Sequence, residues 1–290
     1  MNDFQEILHE LANAGVYLAS AFIIFFIGRL LYQLFSPKIN VKSELVDKDN
    51  FAFSVSYVGY FIGLLLAIGS AVIGPSVDLL KDVEDIFIYG ILAIILLNLS
   101  RLINDKLILN KFSSRKEIIE DQNTGTGVVE AANSIASGLI IFGAISGDPG
   151  DEMSGILSAL AFWGIGQVLM IITAKVYNMM VSFDVHDYIE KDNVAVGIGF
   201  AGALIALGNI IQFGIADDFE SWDITAIRLG SEVLIGLIML PIVRFLADKI
   251  LLPGRNLTDE LINQEKPNNG AALIEAFSYI GGSILITWCI

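Results

Sequence analysis

Apolar residues along this chain fall in blocks about twenty long, separated by short polar stretches. A helix needs about twenty apolar residues to cross a hydrocarbon core roughly 30 Å thick. Eight blocks reach that length: about 14–35, 52–73, 86–108, 127–146, 155–180, 194–214, 225–251 and 270–290. Only helices and closed barrels satisfy their backbone polar groups inside lipid, and blocks this long specify helices. Asp3, Glu6 and Glu10 precede the first block where a signal peptide carries a basic region. That block also exceeds a cleaved apolar region in length, so it reads as a true span.

The polar stretches repeat. Glu44-Leu-Val-Asp-Lys-Asp-Asn50 recurs as Asp187-Tyr-Ile-Glu-Lys-Asp-Asn193, 143 residues later. Arg101-Leu-Ile-Asn-Asp105-Lys106 recurs as Arg244-Phe-Leu-Ala-Asp248-Lys249 at the same offset. After a two-residue insertion, Asn123-Thr-Gly-Thr-Gly-Val-Val-Glu130-Ala131 matches Asn268-Asn-Gly-Ala-Ala-Leu-Ile-Glu275-Ala276. Blocks that keep order and spacing mark a tandem duplication of a four-span unit, with units at 1–146 and 147–290. Four is even, so both copies enter the membrane in the same direction. The expected fold is all-α: a polytopic membrane protein of eight transmembrane helices, two parallel four-helix repeats about a pseudo-twofold axis along the membrane normal.

These blocks resemble the DUF350 family, also called UPF0719. The shared features are the acidic-Lys-Asp-Asn entry to the second span, the Arg-x-x-x-Asp exit of the third and the Asn-x-Gly…Glu-Ala start of the fourth. The resemblance covers nearly the whole chain as two copies. It implies a multi-pass protein of the bacterial inner (plasma) membrane and a link to membrane-stress and polyamine-related gene neighbourhoods. The second copy departs from the pattern where Asn133 becomes Ser278.

Composition narrows the function. The chain has 290 residues, 54% apolar and 17% charged, with a mean hydropathy of +0.68. Soluble domains sit near 45–50% apolar and about 25% charged, so a disordered chain and a conventional soluble enzyme are excluded. A net charge of −15 argues against nucleic acid as a partner. One cysteine, Cys289, forms no internal disulfide, and two histidines make no zinc site. No catalytic group, metal cluster or cofactor motif is expected.

Fifteen of the 17 Lys and Arg residues lie in or beside the loops after spans 1, 3, 5 and 7; only Lys81 and Arg228 lie opposite. The positive-inside rule puts the fifteen in the cytoplasm and both termini outside, in the periplasm. Trp222 and Trp288 then fall at the outer interface. That side carries Asp78, Asp82, Glu84, Asp85, Asp148, Asp151, Glu152, Asp217, Asp218, Glu220 and Asp223. They read either as a funnel that concentrates cations or as ordinary solvated loops.

The repeated polar residues are the site candidates. Arg101 and Asp105, like Arg244 and Asp248, stand four apart on one helical face and are expected to pair. Asp49 and Asn50, with Asp192 and Asn193, are placed to cap spans 2 and 6. Glu130 and Glu275 lie about a turn inside spans 4 and 8, where the helix N-terminus favours negative charge. All ten could simply hold helix ends together. Ionisable groups at membrane depth also mark pathways, and the two glutamates are the deepest of the set.

Glu232 has no carboxylate counterpart, since Tyr89 occupies that place, and Arg228 four residues earlier is its expected partner. Pro241 should kink its helix. His186 reads as a solvated loop residue. Gly197-Ile-Gly199-Phe-Ala-Gly202 fits a dinucleotide fingerprint only literally, because no strand precedes it. Gly59, Gly63, Gly202 and Ala206 read instead as small packing faces.

Two functions fit. One is a channel or transporter for a small cation or a proton-coupled solute, running between the halves with Glu130 and Glu275 near its inner mouth. The other is a membrane scaffold whose cytoplasmic loops recruit an envelope-stress or membrane-remodelling partner. No loop has room for a catalytic domain, so an enzyme is not expected. The lipid bilayer is the certain partner, and a second copy of the chain is a further candidate.

Overall fold

The computed structural model describes residues 3–73, 78–146, 152–216, 221–252 and 254–289. Its helices in chain order are α1 (Asp3–Phe35), α2 (Phe51–Ile73), α3 (Leu79–Ile103), α4 (Ser114–Ile119), α5 (Thr124–Ser146), α6 (Glu152–Met180), α7 (Val185–Glu190), α8 (Val194–Ile215), α9 (Trp222–Leu246), α10 (Leu257–Ile262) and α11 (Asn269–Cys289). Eight of them are long and apolar enough to cross a membrane, as the hydropathy blocks predict. The short α4, α7 and α10 lie in connectors, and π-helical turns occur at Ser43–Asp47, Asn104–Ile108 and Ala247–Leu251. The fold is an all-α membrane bundle.

Four helices form a central row: α2 packs along α5, α5 along α8 and α8 along α11. Small residues set these contacts. A Cβ added at Gly59 would strike the backbone of Ala131, and one at Gly63 the Ser134 carbonyl. Gly138 meets Gly63, Gly197 meets Gly125, Gly208 meets Ala136 and Gly202 meets Ala276. Apolar side chains gain nothing from leaving lipid of equal polarity, so close backbone approach is what drives these helices together. Gly59, Gly63 and Gly202 thus serve as the packing faces their spacing predicts.

Three of the other long helices flank the row, α3 on both α2 and α5, α6 on α5 and α8, and α9 on α8 and α11, while α1 packs mainly on α3 and partly on α2. All four connectors that lead into the row meet at the end where Lys and Arg concentrate, called here the basic end.

The connectors reveal a finer repeat than the four-span unit. Asn50, Asn123, Asn193 and Asn268 each cap the following row helix, with Oδ1 accepting from the amides of Phe53 (3.0 Å), Thr126 (2.9 Å), Val196 (3.0 Å) and Ala271 (3.1 Å). The residue before the cap has left-handed φ in three of them: Asp49 (49°), Gln122 (52°) and Asp192 (57°). Asn50 Nδ2 then donates to the Ile118 carbonyl (2.8 Å), Asn123 to Ile189 (2.7 Å) and Asn193 to Leu261 (2.9 Å). Each of these three caps therefore ties its connector to the next one along the row. The chain is a linear array of four two-helix units, grouped in pairs.

That array corrects the expected pseudo-twofold axis. A closed twofold would pack α11 on α2 as fully as α5 packs on α8, and α11 does not pack along α2. Phe277 and Trp288 of α11, 68% and 79% exposed, face outward instead, as do Val58 and Leu65 of α2. The two repeats follow one another along the row.

At the opposite, acidic end, Asp78 caps α3 by accepting from the amides of Leu80 and Lys81, both at 2.9 Å. Asp82 is buried and accepts from Tyr17 Oη at 2.5 Å. Asp148, Asp151, Asp217, Asp218 and Glu220 lie outside the described residues, as does the side chain of Glu152. Trp222 and Trp288 sit exposed at this end, where an aromatic belt places them.

Candidate functional site

Arg101 belongs to the last turn of α3, just before the π-helical turn Asn104–Ile108. Its Nε donates to Glu130 Oε1 of α5 at 2.9 Å, and one terminal nitrogen donates to Tyr32 Oη of α1 at 2.9 Å. The guanidinium also lies over the Tyr32 ring, 4.1 Å from its centroid. The other terminal nitrogen has only long contacts, to Ser36 Oγ (3.4 Å) and Asn98 Oδ1 (3.5 Å). Ser56 Oγ of α2 completes the cluster by donating to Glu130 at 3.0 Å. One ion pair thus joins all four long helices of the first repeat.

The second repeat builds the same pair. Arg244 donates to Glu275, which also accepts from Tyr279 (3.1 Å) and Tyr177 (3.4 Å). The other Arg244 terminal nitrogen donates to Thr258 Oγ1 at 3.1 Å.

The expected Arg101–Asp105 and Arg244–Asp248 pairs do not form. A π-helical turn begins after each arginine and rotates the residue four positions on away from its helical face. Asp105 instead accepts from the Ser114 amide (2.8 Å) and pairs with Lys106 (2.7 Å). Asp248 likewise accepts from the Leu257 amide (2.6 Å) and pairs with Lys249 (2.9 Å).

Asn50 and Asn193 cap their helices as expected; Asp49 and Asp192 do not. Left-handed backbone turns both aspartates away from the helix that follows. Asp192 accepts from the Thr124 amide (3.0 Å), so it caps the neighbouring α5 across the repeat boundary.

His186 is also not a solvated loop residue. Its Nε2 lies 2.6 Å from the Ile108 carbonyl, a group the π-helical turn leaves free. A carbonyl only accepts, so Nε2 carries the proton. Lys111 adds a second tie between the repeats, bonding Asp184 (2.6 Å) and Asp187 (2.9 Å). Burial raises the Asp184 pKa, but the Lys111 and backbone bonds outweigh it and hold the group below the ordinary range. In the α4 connector, burial pushes the Glu117 carboxyl upward against the lowering bond from Asn123. Glu232 is buried against Gly214, and α9 continues through Pro241 to Leu246.

The two ion pairs differ in their surroundings. Glu130 lines a cavity of about 410 Å³ at the basic end, walled by Tyr32, Phe35, Phe53, Ser56, Asn98, Arg101 and Leu102 and rimmed by Lys38, Lys106 and Arg115. The corresponding space in the second repeat is about 230 Å³ and includes Arg244 and Thr258, but Glu275 does not line it. Tyr177 and Tyr279, both fully buried, cover Glu275, whose Oε2 packs on Gly199 with no hydrogen-bond partner among the described residues.

On the far side of Glu130 a polar column runs along α5. Asn133 Nδ2 donates to the Ser100 carbonyl (3.3 Å), Trp163 Nε1 to Ser100 Oγ (2.9 Å) and Gln167 Nε2 to Ser137 Oγ (3.3 Å). Asn133 Oδ1, Ser134 Oγ and Gln167 Oε1 are buried with no hydrogen-bond partner among the described residues, as are the Asn104 amide, Ser114 Oγ and Thr126 Oγ1 nearer the connectors. At 1.5 Å per residue, Ser137 stands about 20 Å along α5 from its start, near the middle of a membrane. Beyond it α5 buries Ile140, Ile141 and Ala144.

Sequence reasoning missed Tyr32, Ser56, Tyr177, Tyr279 and Gln167. None belongs to a repeated polar block; only the three-dimensional packing brings the tyrosines and Ser56 to the two glutamates, and Gln167 to Ser137 farther along α5.

Eight spanning helices in two tandem four-helix repeats, each repeat tied at one end by an Arg–Glu pair, define a multi-pass membrane protein of duplicated design. The chain belongs to the family described as Domain of Unknown Function (DUF350), which matches residues 6–145 and again 151–290. It is also 22% identical over 203 residues to a "UPF0719 transmembrane protein" of Aquifex aeolicus (strain VF5), covering 70% of this chain and 73% of that one. No solved structure matches the chain.

Proposed function

We propose that this chain is a proton-coupled solute transporter of the bacterial inner membrane, with its basic end and the Glu130 cavity facing the cytoplasm. The observation that carries the reading is the position of Glu130. A cavity lies on one side of it, and a column of unpartnered polar atoms runs toward mid-membrane on the other. A purely structural ion pair needs neither, and in the second repeat the glutamate, Glu275, lines no cavity among the described residues. Buried polar atoms without partners are costly and mark water, ions or transferred protons. The Lys38 and Arg115 rim disfavours cations at this end, so the solute carries negative charge and the carboxylate supplies the coupling proton.

The test is flux through the full chain in liposomes, read by an entrapped pH dye, with inorganic phosphate and small organic anions added outside. At least one solute should dissipate an imposed pH gradient faster than in empty liposomes. Joint Arg101→Gln and Glu130→Gln replacement should lower that rate at least tenfold. Joint Arg244→Gln and Glu275→Gln replacement, which removes a staple without stranding a charge, should keep half or more of it. Gradients that persist with every solute overturn the reading.

The scaffold reading has less support. The repeated polar groups of the connectors are spent internally, Asn50, Asn123, Asn193 and Asp192 each bonding a neighbouring connector or helix.

A further inference from the structure

The first-repeat cavity differs from its second-repeat counterpart in charge as well as size. Lys38 and Arg115 at its rim are exposed and make no ion pair among the described residues. At the 143-residue offset their places are taken by Val181 and Thr258. Thr258 closes the second site by accepting from Arg244, whereas in the first site one terminal nitrogen of Arg101 is held only by contacts of 3.4 and 3.5 Å. Four cations, Lys38, Arg101, Lys106 and Arg115, and two carboxylates, Asp105 and Glu130, therefore line a volume of about 410 Å³, within the range of pockets that hold small ligands. The carboxylates are paired with Lys106 and Arg101, which leaves Lys38 and Arg115 as the excess positive charge.

One wall of this volume is apolar and open to the side. Phe35 and Leu102, at the ends of α1 and α3, line the cavity and are 43% and 53% exposed on the lipid-facing surface of the bundle. A ligand seated here meets guanidinium and ammonium groups at headgroup depth and hydrocarbon beside them. That combination fits a phosphate ester carrying an alkyl chain.

We propose that the cavity between α1, α3 and α4 binds the phosphate of an anionic amphiphile. Arg101, Lys38 and Arg115 take the phosphate, and the alkyl chain leaves past Phe35 and Leu102 into the bilayer. Arginine offers paired donors that match phosphate oxygens, and lysine adds a point charge. The same cations would also accept a soluble phosphate ester, and the apolar exit is what favours the lipid. The proposal deepens the transport reading by naming the class of solute, but binding is measured without any flux.

The full chain in neutral detergent is titrated with a short-chain phosphatidylglycerol, with glycerol phosphate and with inorganic phosphate, each followed by calorimetry. The short-chain lipid should bind at one site per chain. Joint Lys38→Gln and Arg115→Gln replacement changes two exposed residues, so the fold survives, and should weaken binding by roughly tenfold or more. Lys249→Gln, the counterpart of Lys106 at the second site, should leave binding unchanged.

Glycerol phosphate or inorganic phosphate binding as tightly as the lipid, and equally sensitive to the two replacements, would keep the phosphate site and assign it to a soluble ester. Absence of binding by all three, or equal binding by the Lys38/Arg115 variant, overturns the proposal. Binding without flux would sink the transport reading and leave the site, and flux without this binding would do the reverse.

Discussion

At the residue scale the repeated asparagines carry much of the order at the basic end. Asn123 is 1% exposed; it caps α5 and donates to both Glu117 (3.0 Å) and the Ile189 carbonyl (2.7 Å). Asn268 makes the same cap and a matching bond to Glu260 (2.8 Å) but is exposed, and it bonds no further connector among the described residues. Losing a cap costs about 1 kcal/mol, and a stranded buried carbonyl adds about 1–3 kcal/mol. Asn123→Ala should therefore lower the thermal midpoint in detergent clearly more than Asn268→Ala. Equal shifts would remove the tie to the next connector. This motif was legible: Glu44 and Asn50 recur as Glu117 and Asn123, 73 residues on, a period hidden beneath the stronger 143-residue one. The Arg–Glu pairing was not legible in the same way. The four-residue rule assumes α-helical geometry, and nothing in Asn104–Ile108 announces a π-helical turn.

At the element scale the hydropathy blocks located every spanning helix, because lipid leaves so few ways to satisfy a backbone. They did not show the short α4, α7 and α10, whose six residues each are too few to display a period. Helix partners were readable only as small-residue positions, and the order of the row came from which glycine meets which backbone. Gly63 is the sharpest case, lying between the Ser134 carbonyl and Gly138. Gly63→Val forces α2 from α5, and overpacking of this kind typically costs about 1–3 kcal/mol. It should sharply reduce the yield of folded chain on size-exclusion chromatography in detergent. Gly15→Val, where a Cβ meets nothing within 4 Å, should leave the yield unchanged. Similar losses from both would mean that the row is not set by close backbone approach.

At the scale of the whole molecule, parity of the span count fixed the common direction of the repeats but could not fix whether they close. The row is open, and its end faces are built for lipid. Phe277 and Trp288 on α11 stand where α5 has Ala132 and Gly143, while Val58 and Leu65 on α2 stand where α8 has Ala201 and Gly208. Bulk has replaced the small residues that a further neighbour would require. A linear array also leaves the two ion pairs in different settings, one beside a cavity and one beneath two tyrosines, and that difference underlies the functional reading. Thiol labelling tests it most directly. In a Cys289→Ser background, Ser56→Cys places a thiol on the cavity wall beside Glu130, and Thr173→Cys places one on α6, a turn from Tyr177. A membrane-impermeant methanethiosulfonate reagent supplied from the basic end should modify the first thiol rapidly and leave the second intact. Equal protection of both, or faster reaction at the Thr173 position, would contradict the account.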